Sequence, residues 1–249
     1  EIVLGIGGIR MLRALGYTNI ERFHMNEGHA ALLALELLGE RKQREQAAWD
    51  FDSVRRDCLF TTHTPVPAGH DQFSHELVKQ MLGDTTSLEV LKMLGGRDRL
   101  NMTLLGLNMS TYVNGVAKRH GQVAQDMFPG YPIDSITNGI HSVTWTSPSF
   151  QRLYDRHIPG WRTDSFALRH AISLSNQDIW DAHEQAKARL VEAVQQRTRQ
   201  VLSGEAFTIG FARRATLYKR ADLVLSAPHE LIDFVRRVGP LQIIFAGKA

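Results

Sequence analysis

Apolar residues crowd the first sixteen positions, Ile2, Leu4, Ile6, Ile9, Met11, Leu12 and Leu15, and stop at Gly16, which predicts a helix with a glycine C-terminus. Gly5 and Gly7 invite a dinucleotide-binding reading, but the GxGxxG spacing needs glycine where Arg10 stands, so a close-packed helix is expected instead. A short strand is predicted over residues 20–25, with Asn26 as a cap and an apolar helix through Leu38. A second unit repeats the order: a helix around residues 47–56, a strand over 58–61 and a polar loop over 63–70. Residues 100–127 read as helical, with Leu104, Leu105, Leu107, Met109, Tyr112, Val113 and Val116 facing a core, ended by Pro129, Gly130 and Pro132. Another short strand is predicted over 133–137, closed by Asn138 and Gly139, with a domain junction shortly afterwards. Beyond it, Ile179, Ala182, Ala186, Leu190, Ala193 and Val194 mark a long amphipathic helix over 176–202. A strand over 206–211, a helix over 227–238 and a strand over 241–245 follow and open a second α/β domain. Strand, loop and helix in alternation predict an α/β fold with mostly parallel sheets and sites at the strand C-termini.

Charge changes the picture only locally. The 249 residues carry a formal net charge of +3, with 29 basic against 26 acidic residues, a balance that argues against a nucleic-acid partner. Arg213, Arg214, Lys219 and Arg220, however, fall within eight residues just after a predicted strand. Such a run is either a solvated face or an anion clamp, since a strand end opening into a helix brings backbone donors and cations together. The lone Cys58 forms no internal disulfide and no CxxC pair exists, so a cytoplasmic setting is expected. No run approaches the roughly twenty apolar residues of a membrane span, so no membrane partner is expected. The chain starts at Glu1 and its last predicted strand stops as a loop begins, which reads as a piece of a longer protein whose isolated form would leave apolar faces uncovered.

Three loops follow predicted strands of the first half, carrying His24, Asn26, Glu27 and His29; His63 and Thr64; and Asn138 and His141. Asn, Thr, His and Glu offer directional donors and acceptors suited to sugar hydroxyls. Metal binding by His24, His29, His63, His70 and His75 with Glu27 is the competing reading, but no HExxH spacing occurs and no metal is expected. A GxSxG nucleophile is also missing, and Glu27 has no evident carboxylate partner for ordinary glycoside hydrolysis.

The series HMNEGHA at 24–30, THTP at 62–65, VNGVAKRH at 113–120, TNGI at 137–140, Arg213-Arg214 through Tyr218-Lys219-Arg220, and GKA at 247–249 resembles the α-glucan phosphorylases, in the same order. The resemblance implies a glycosyltransferase-B fold of two Rossmann-like domains, with residues 1–140 ending the N-terminal domain and 141–249 beginning the C-terminal one. It implies reversible phosphorolysis of α-1,4-glucan ends to α-glucose 1-phosphate, with pyridoxal 5'-phosphate acting through its phosphate group in a cleft between the domains. By the same resemblance His63 and Asn138 hold hydroxyls of the transferred glucosyl unit, and Glu27, His29 and Thr64 line the glucan side. Arg214 and Lys219 grip phosphate, Lys219 also on the cofactor side, Tyr218 packs beside them, and Arg213 and Arg220 support the charge. The Schiff-base lysine of the family lies beyond Ala249, so the isolated piece is expected to be inactive. Glu27-Gly28 replaces the Asp-Thr of the animal and plant pattern, and Thr216-Leu217 replaces its His-Glu, which matches the bacterial and archaeal branch. A nucleotide-sugar transferase of the same fold and an inactive glucan-binding piece are the alternatives, and homo-oligomer formation is left open.

Overall fold

The computed structural model describes residues 1–45, 49–83 and 87–248. They divide into two units, Glu1–Gly139 and Ile140–Ala249. Both are mixed α/β with a parallel sheet.

In the first unit, α1 (Ile2–Ala14) packs on α2 (Leu33–Glu45). A Cβ on Gly5 would lie 2.9 Å from the Leu32 Cβ and from the Leu33 nitrogen, so the glycine read from the sequence as a packing residue is required by this approach. Arg10 grips Glu36 through two bonds of 2.7 and 2.9 Å, an exposed pair that contributes little beside the apolar contact, and Arg13 makes a half-buried pair with Glu40. The sheet consists of β1 (Phe23–Asn26), β2 (Cys58–Thr62), β5 (Tyr112–Gly115) and β6 (Asp134–Ser135), all parallel and in that spatial order. Between β2 and β5 the chain makes an antiparallel pair, β3 (Gln72–Ser74) with β4 (Arg99–Asn101). Around that pair lie α4 (His75–Leu82), α5 (Leu88–Gly95) and α6 (Met102–Asn108). The helix α3 (Phe51–Asp57) precedes β2, and α7 (Lys118–Met127) follows β5.

Two expectations need correction. Residues 100–127 are not one helix: α6 ends at Asn108 with Met109 as its cap, and β5 enters the sheet beside β2, with Val113 paired to Phe60. The apolar spacing fits both periods over so short a run, and burial on a sheet decides it. Asn26 is the last residue of β1 rather than a cap. Glu27 takes that place, ahead of a single tight turn over Gly28–Ala30, and α2 starts only at Leu33. The start of the helix expected over 47–56 lies outside the described residues, as does Ala249 of the GKA motif; α3 begins after Asp50, whose carboxylate accepts from the Ser53 nitrogen at 3.0 Å.

One apolar core runs through this unit, with Met25, Phe60, Leu38, Leu105 and Met109 fully buried. Cys58 sits in it, and burial pushes its thiol up to about 12. A disulfide reagent at pH 8 is therefore expected to leave Cys58 unmodified in the folded protein and to titrate it once denaturant is added; rapid native labelling would contradict the burial.

The second unit contains α8 (Ser142–Trp145), α9 (Pro148–His157) and α10 (Asn176–Thr198), with α9 against α10. Trp161 anchors this part, 1% exposed, its ring nitrogen donating to Asp155 Oδ1 at 2.9 Å and its ring edge-on to Tyr154. Arg162 holds both Asp155 oxygens at 2.7 Å, and these donors lower the Asp155 carboxyl to about 2. Then β7 (Phe207–Ala212), α11 (Pro228–Val238) and β8 (Leu241–Ala246) form a parallel strand-helix-strand unit. Leu217, Leu223, Leu225, Ile232 and Val238 remain exposed around it. Among the described residues no helix is long and apolar enough to cross a membrane.

Candidate functional site

Because β1, β2, β5 and β6 are parallel, the loops that leave their C-terminal ends share one edge of the sheet. After β1 comes Glu27, 9% exposed, whose carboxylate points back into the protein. Its Oε2 accepts from the His63 nitrogen at 2.6 Å and the Thr64 hydroxyl at 2.9 Å. Its Oε1 accepts from the Gly28 nitrogen at 3.3 Å and the Thr62 hydroxyl at 3.4 Å. The loop after β2 presents the side chain of His63 outward, and its imidazole makes no hydrogen bond among the described residues. Asn138, after β6, is likewise exposed; among the described residues only its backbone nitrogen is tied, to the Val116 carbonyl at 3.1 Å. His29 turns elsewhere, 3.2 Å from Asp71 and 3.4 Å from Glu1.

A polar chain beneath these loops, exposed at His24 and buried at Thr61 and Asn114, was not evident from the sequence. The Thr61 hydroxyl donates to Asn114 Oδ1 at 2.9 Å, so His24 Nε2, 2.7 Å away, must donate to Thr61. Asn114 in turn donates to the Gly115 carbonyl at 3.1 Å. The network links β1, β2 and β5 just below the edge that bears His63. The sequence signal was the VNG run itself, which conflicts with a helix because Asn and Gly are weak helix formers.

The histidines weighed as metal ligands disperse into separate tasks. His24 bonds Thr61, His70 Nδ1 meets the Thr103 hydroxyl at 2.8 Å, and His75 Nε2 donates to the Gly96 carbonyl at 3.0 Å. Ligand-type side chains gather, among the described residues, at Glu1, His29 and Asp71, where the two carboxylates already partner the imidazole.

His70 is buried, its Nε2 has no hydrogen-bond partner among the described residues, and Phe128 meets its ring edge-on. Burial lowers its pKa below 6.5, Glu27 partly offsets this, and His120 adds to the lowering. Between the lowered folded value and the unfolded value the unfolded chain binds more protons, so stability falls as pH falls from 6.5. Urea midpoints between pH 7.5 and 5.5 are expected to show this acid slope, and His70→Asn should flatten it. An unchanged slope in that variant would show that His70 is not its source.

In the second unit, β7 ends in the basic run. Arg213 and Arg214 are exposed, and neither they nor Lys219 nor Arg220 has an ion-pair partner among the described residues. The loop is held by backbone bonds, Arg213 nitrogen to Ala246 carbonyl at 3.0 Å and Ala215 nitrogen to Lys248 carbonyl at 2.9 Å. Gly247 is required there because any Cβ would overlap the Arg213 carbonyl oxygen. Tyr218 lies under the Lys219 ammonium, 5.7 Å from nitrogen to ring centre. Thr216 Oγ1 is buried in the same loop with no hydrogen-bond partner among the described residues. Cations without ion-pair partners and a spare hydroxyl, carried by one loop, are a donor set that suits a phosphate group.

No protein-family model matches the chain. Curated relatives do. It is 34% identical to a maltodextrin phosphorylase of Thermococcus litoralis over 289 aligned residues, covering all of this chain and 34% of that protein. It is 34% identical to a glycogen phosphorylase of Mycobacterium tuberculosis over 306 residues, again covering all of this chain and 34% of the relative. A glycogen phosphorylase of Aquifex aeolicus is 29% identical, with 42% of its length covered. The chain thus spans about a third of the length of the first two relatives. Over its whole length the chain is similar to a segment of the maltodextrin and glycogen phosphorylases.

Proposed function

We propose that the protein carrying this chain catalyses reversible phosphorolysis at the non-reducing ends of α-1,4-glucan, on a glycosyltransferase-B scaffold whose first domain ends near residue 140 and whose second begins at 141. A phosphate oxygen bonds to C1 of the terminal glucosyl unit as the C1–O4 bond breaks, and the shortened glucan leaves with the proton. The exposed side chains of His63 and Asn138 hold hydroxyls of the glucosyl unit, with Thr64 and His29 on the glucan side. Arg214 and Lys219, with Tyr218 beside them, hold phosphate and offset its charge.

The observation that carries this reading is the cation set at the end of β7, unneutralised within its unit, in a chain similar throughout to phosphorylases. The same donors, with Thr216 Oγ1 spare, fit the phosphate of pyridoxal phosphate, which Lys219 would contact. When bound, that phosphate supplies a proton donor and acceptor beside the substrate phosphate. The names of the relatives do not favour a nucleotide-sugar donor. A cytoplasmic location fits the reduced, buried Cys58.

The test is release of glucose 1-phosphate from maltodextrin by the full-length protein in phosphate buffer, with UDP-glucose and ADP-glucose as alternative donors in parallel. Glucose 1-phosphate is the expected product. Transfer from a nucleotide sugar, with no phosphorolysis, would overturn the reading.

A further inference from the structure

We infer that Glu27 is a positioning residue for the His63 loop and not a ligand of the glucan. A carboxylate offers about four lone-pair sites, and here four donors of the chain fill them: Gly28 N, Thr62 Oγ1, His63 N and Thr64 Oγ1. No acceptor is left for a sugar hydroxyl. Burial points the same way, since Glu27 is only 9% exposed while His63 beside it in the network is exposed.

The backbone of Glu27 strengthens the inference. It sits at φ 70 and ψ 170, a region that favours glycine and in which a residue with a side chain persists only when its surroundings over-determine it. Its nitrogen donates to the Thr61 carbonyl at 2.8 Å, continuing the β1–β2 ladder by one rung. Glycine would satisfy that backbone more easily. A carboxylate at this position supplies what glycine lacks, a two-oxygen clamp on three successive residues, 62 to 64, that fixes where His63 leaves the sheet. The shortest of its four bonds is the one to the His63 nitrogen, at 2.6 Å.

This inference rests on the phosphorylase reading for its kinetic part alone. Glu27→Gly and the isosteric Glu27→Gln are made in the full-length protein, and hydrogen exchange of the segment bearing the His63 amide is measured beside kcat and the glucan KM. Amide exchange is expected to accelerate at least about tenfold, and kcat to fall roughly 100-fold while the glucan KM moves less than about threefold. In a His63→Ala background the Glu27→Gly change should cost less than about threefold, because the group it positions is already gone. A merely structural role predicts that Glu27→Gly, which relieves the backbone, keeps full activity, and that result would overturn the inference. So would unaltered His63 exchange with a raised glucan KM and an unaltered kcat, the signature of a direct glucan ligand. If Glu27→Gly does not fold, Glu27→Gln decides by the same readouts. Wild-type protein that releases no glucose 1-phosphate would remove the phosphorylase reading, and the amide exchange would then decide the clamp by itself.

Discussion

Replacing Arg214 by Ala is expected to lower kcat/KM for phosphate roughly 100- to 1,000-fold in the full-length protein, with the glucan KM shifted less than about threefold. The asymmetry follows from the division of parts. The side chains proposed to hold the sugar, His63 and Asn138, are carried by the unit 1–139, while Arg214 follows β7 with no carboxylate paired to it among the described residues. A cation already paired within the chain would lose much of its pull on an anion, but an unpaired one presents its full charge. The substitution should not unfold the unit, because exposed side chains without partners typically change stability by less than about 0.5 kcal/mol. Arg213→Ala is the internal comparison and should cost roughly tenfold or less, the mark of a charge at one remove. Initial rates in both directions, with phosphate and then glucose 1-phosphate varied, give the measurement. Equal losses for phosphate and glucan, or none, would remove Arg214 from the phosphate site.

The strands that proved readable are those whose apolar runs are bounded by polar turns. Cys58 to Thr62, which is buried in its sheet, and Leu241 to Ala246, which is half-buried, fall within one residue of the expected bounds, because a parallel sheet selects short apolar runs. The segment containing β5 was not readable. Asn114 disfavours a strand by propensity, and what holds it in one is the Thr61 hydroxyl on a neighbouring strand 53 residues away. The region of 72–101 carries two helices capped by Ser74 and Ser87, yet its short, broken apolar pattern announced neither. At the candidate site, the loops bearing His63 and Asn138 could be placed because they follow strands. The orphaned Thr216 hydroxyl and the four donors on Glu27 could not, since each depends on groups brought together only by folding.

Phe60→Ala is expected to cost about 3–5 kcal/mol, the range for truncating a fully buried aromatic residue, against a total of about 5–15 kcal/mol for an ordinary domain. Phe60 is 0% exposed, in the middle of β2, with β1 on one side and β5 on the other. Helix α6 comes down on its ring at Gly106, where an added Cβ would lie only 2.6 Å from Phe60 Cε2. Two opposite errors are therefore possible at one contact. Truncating the ring leaves a cavity, and Gly106→Ala overfills the site at a cost of about 1–3 kcal/mol. Their combination should cost less than the sum, because the methyl group enters the space the ring has left. Calorimetry of the full-length protein should show the transition of this unit lowered by roughly 10 °C in Phe60→Ala and partly restored in the double variant. Strict additivity would mean that α6 shifts away from β2 when either residue changes. Phosphorolysis should follow the melting in each variant, since His63 leaves the sheet from the end of the strand that Phe60 anchors.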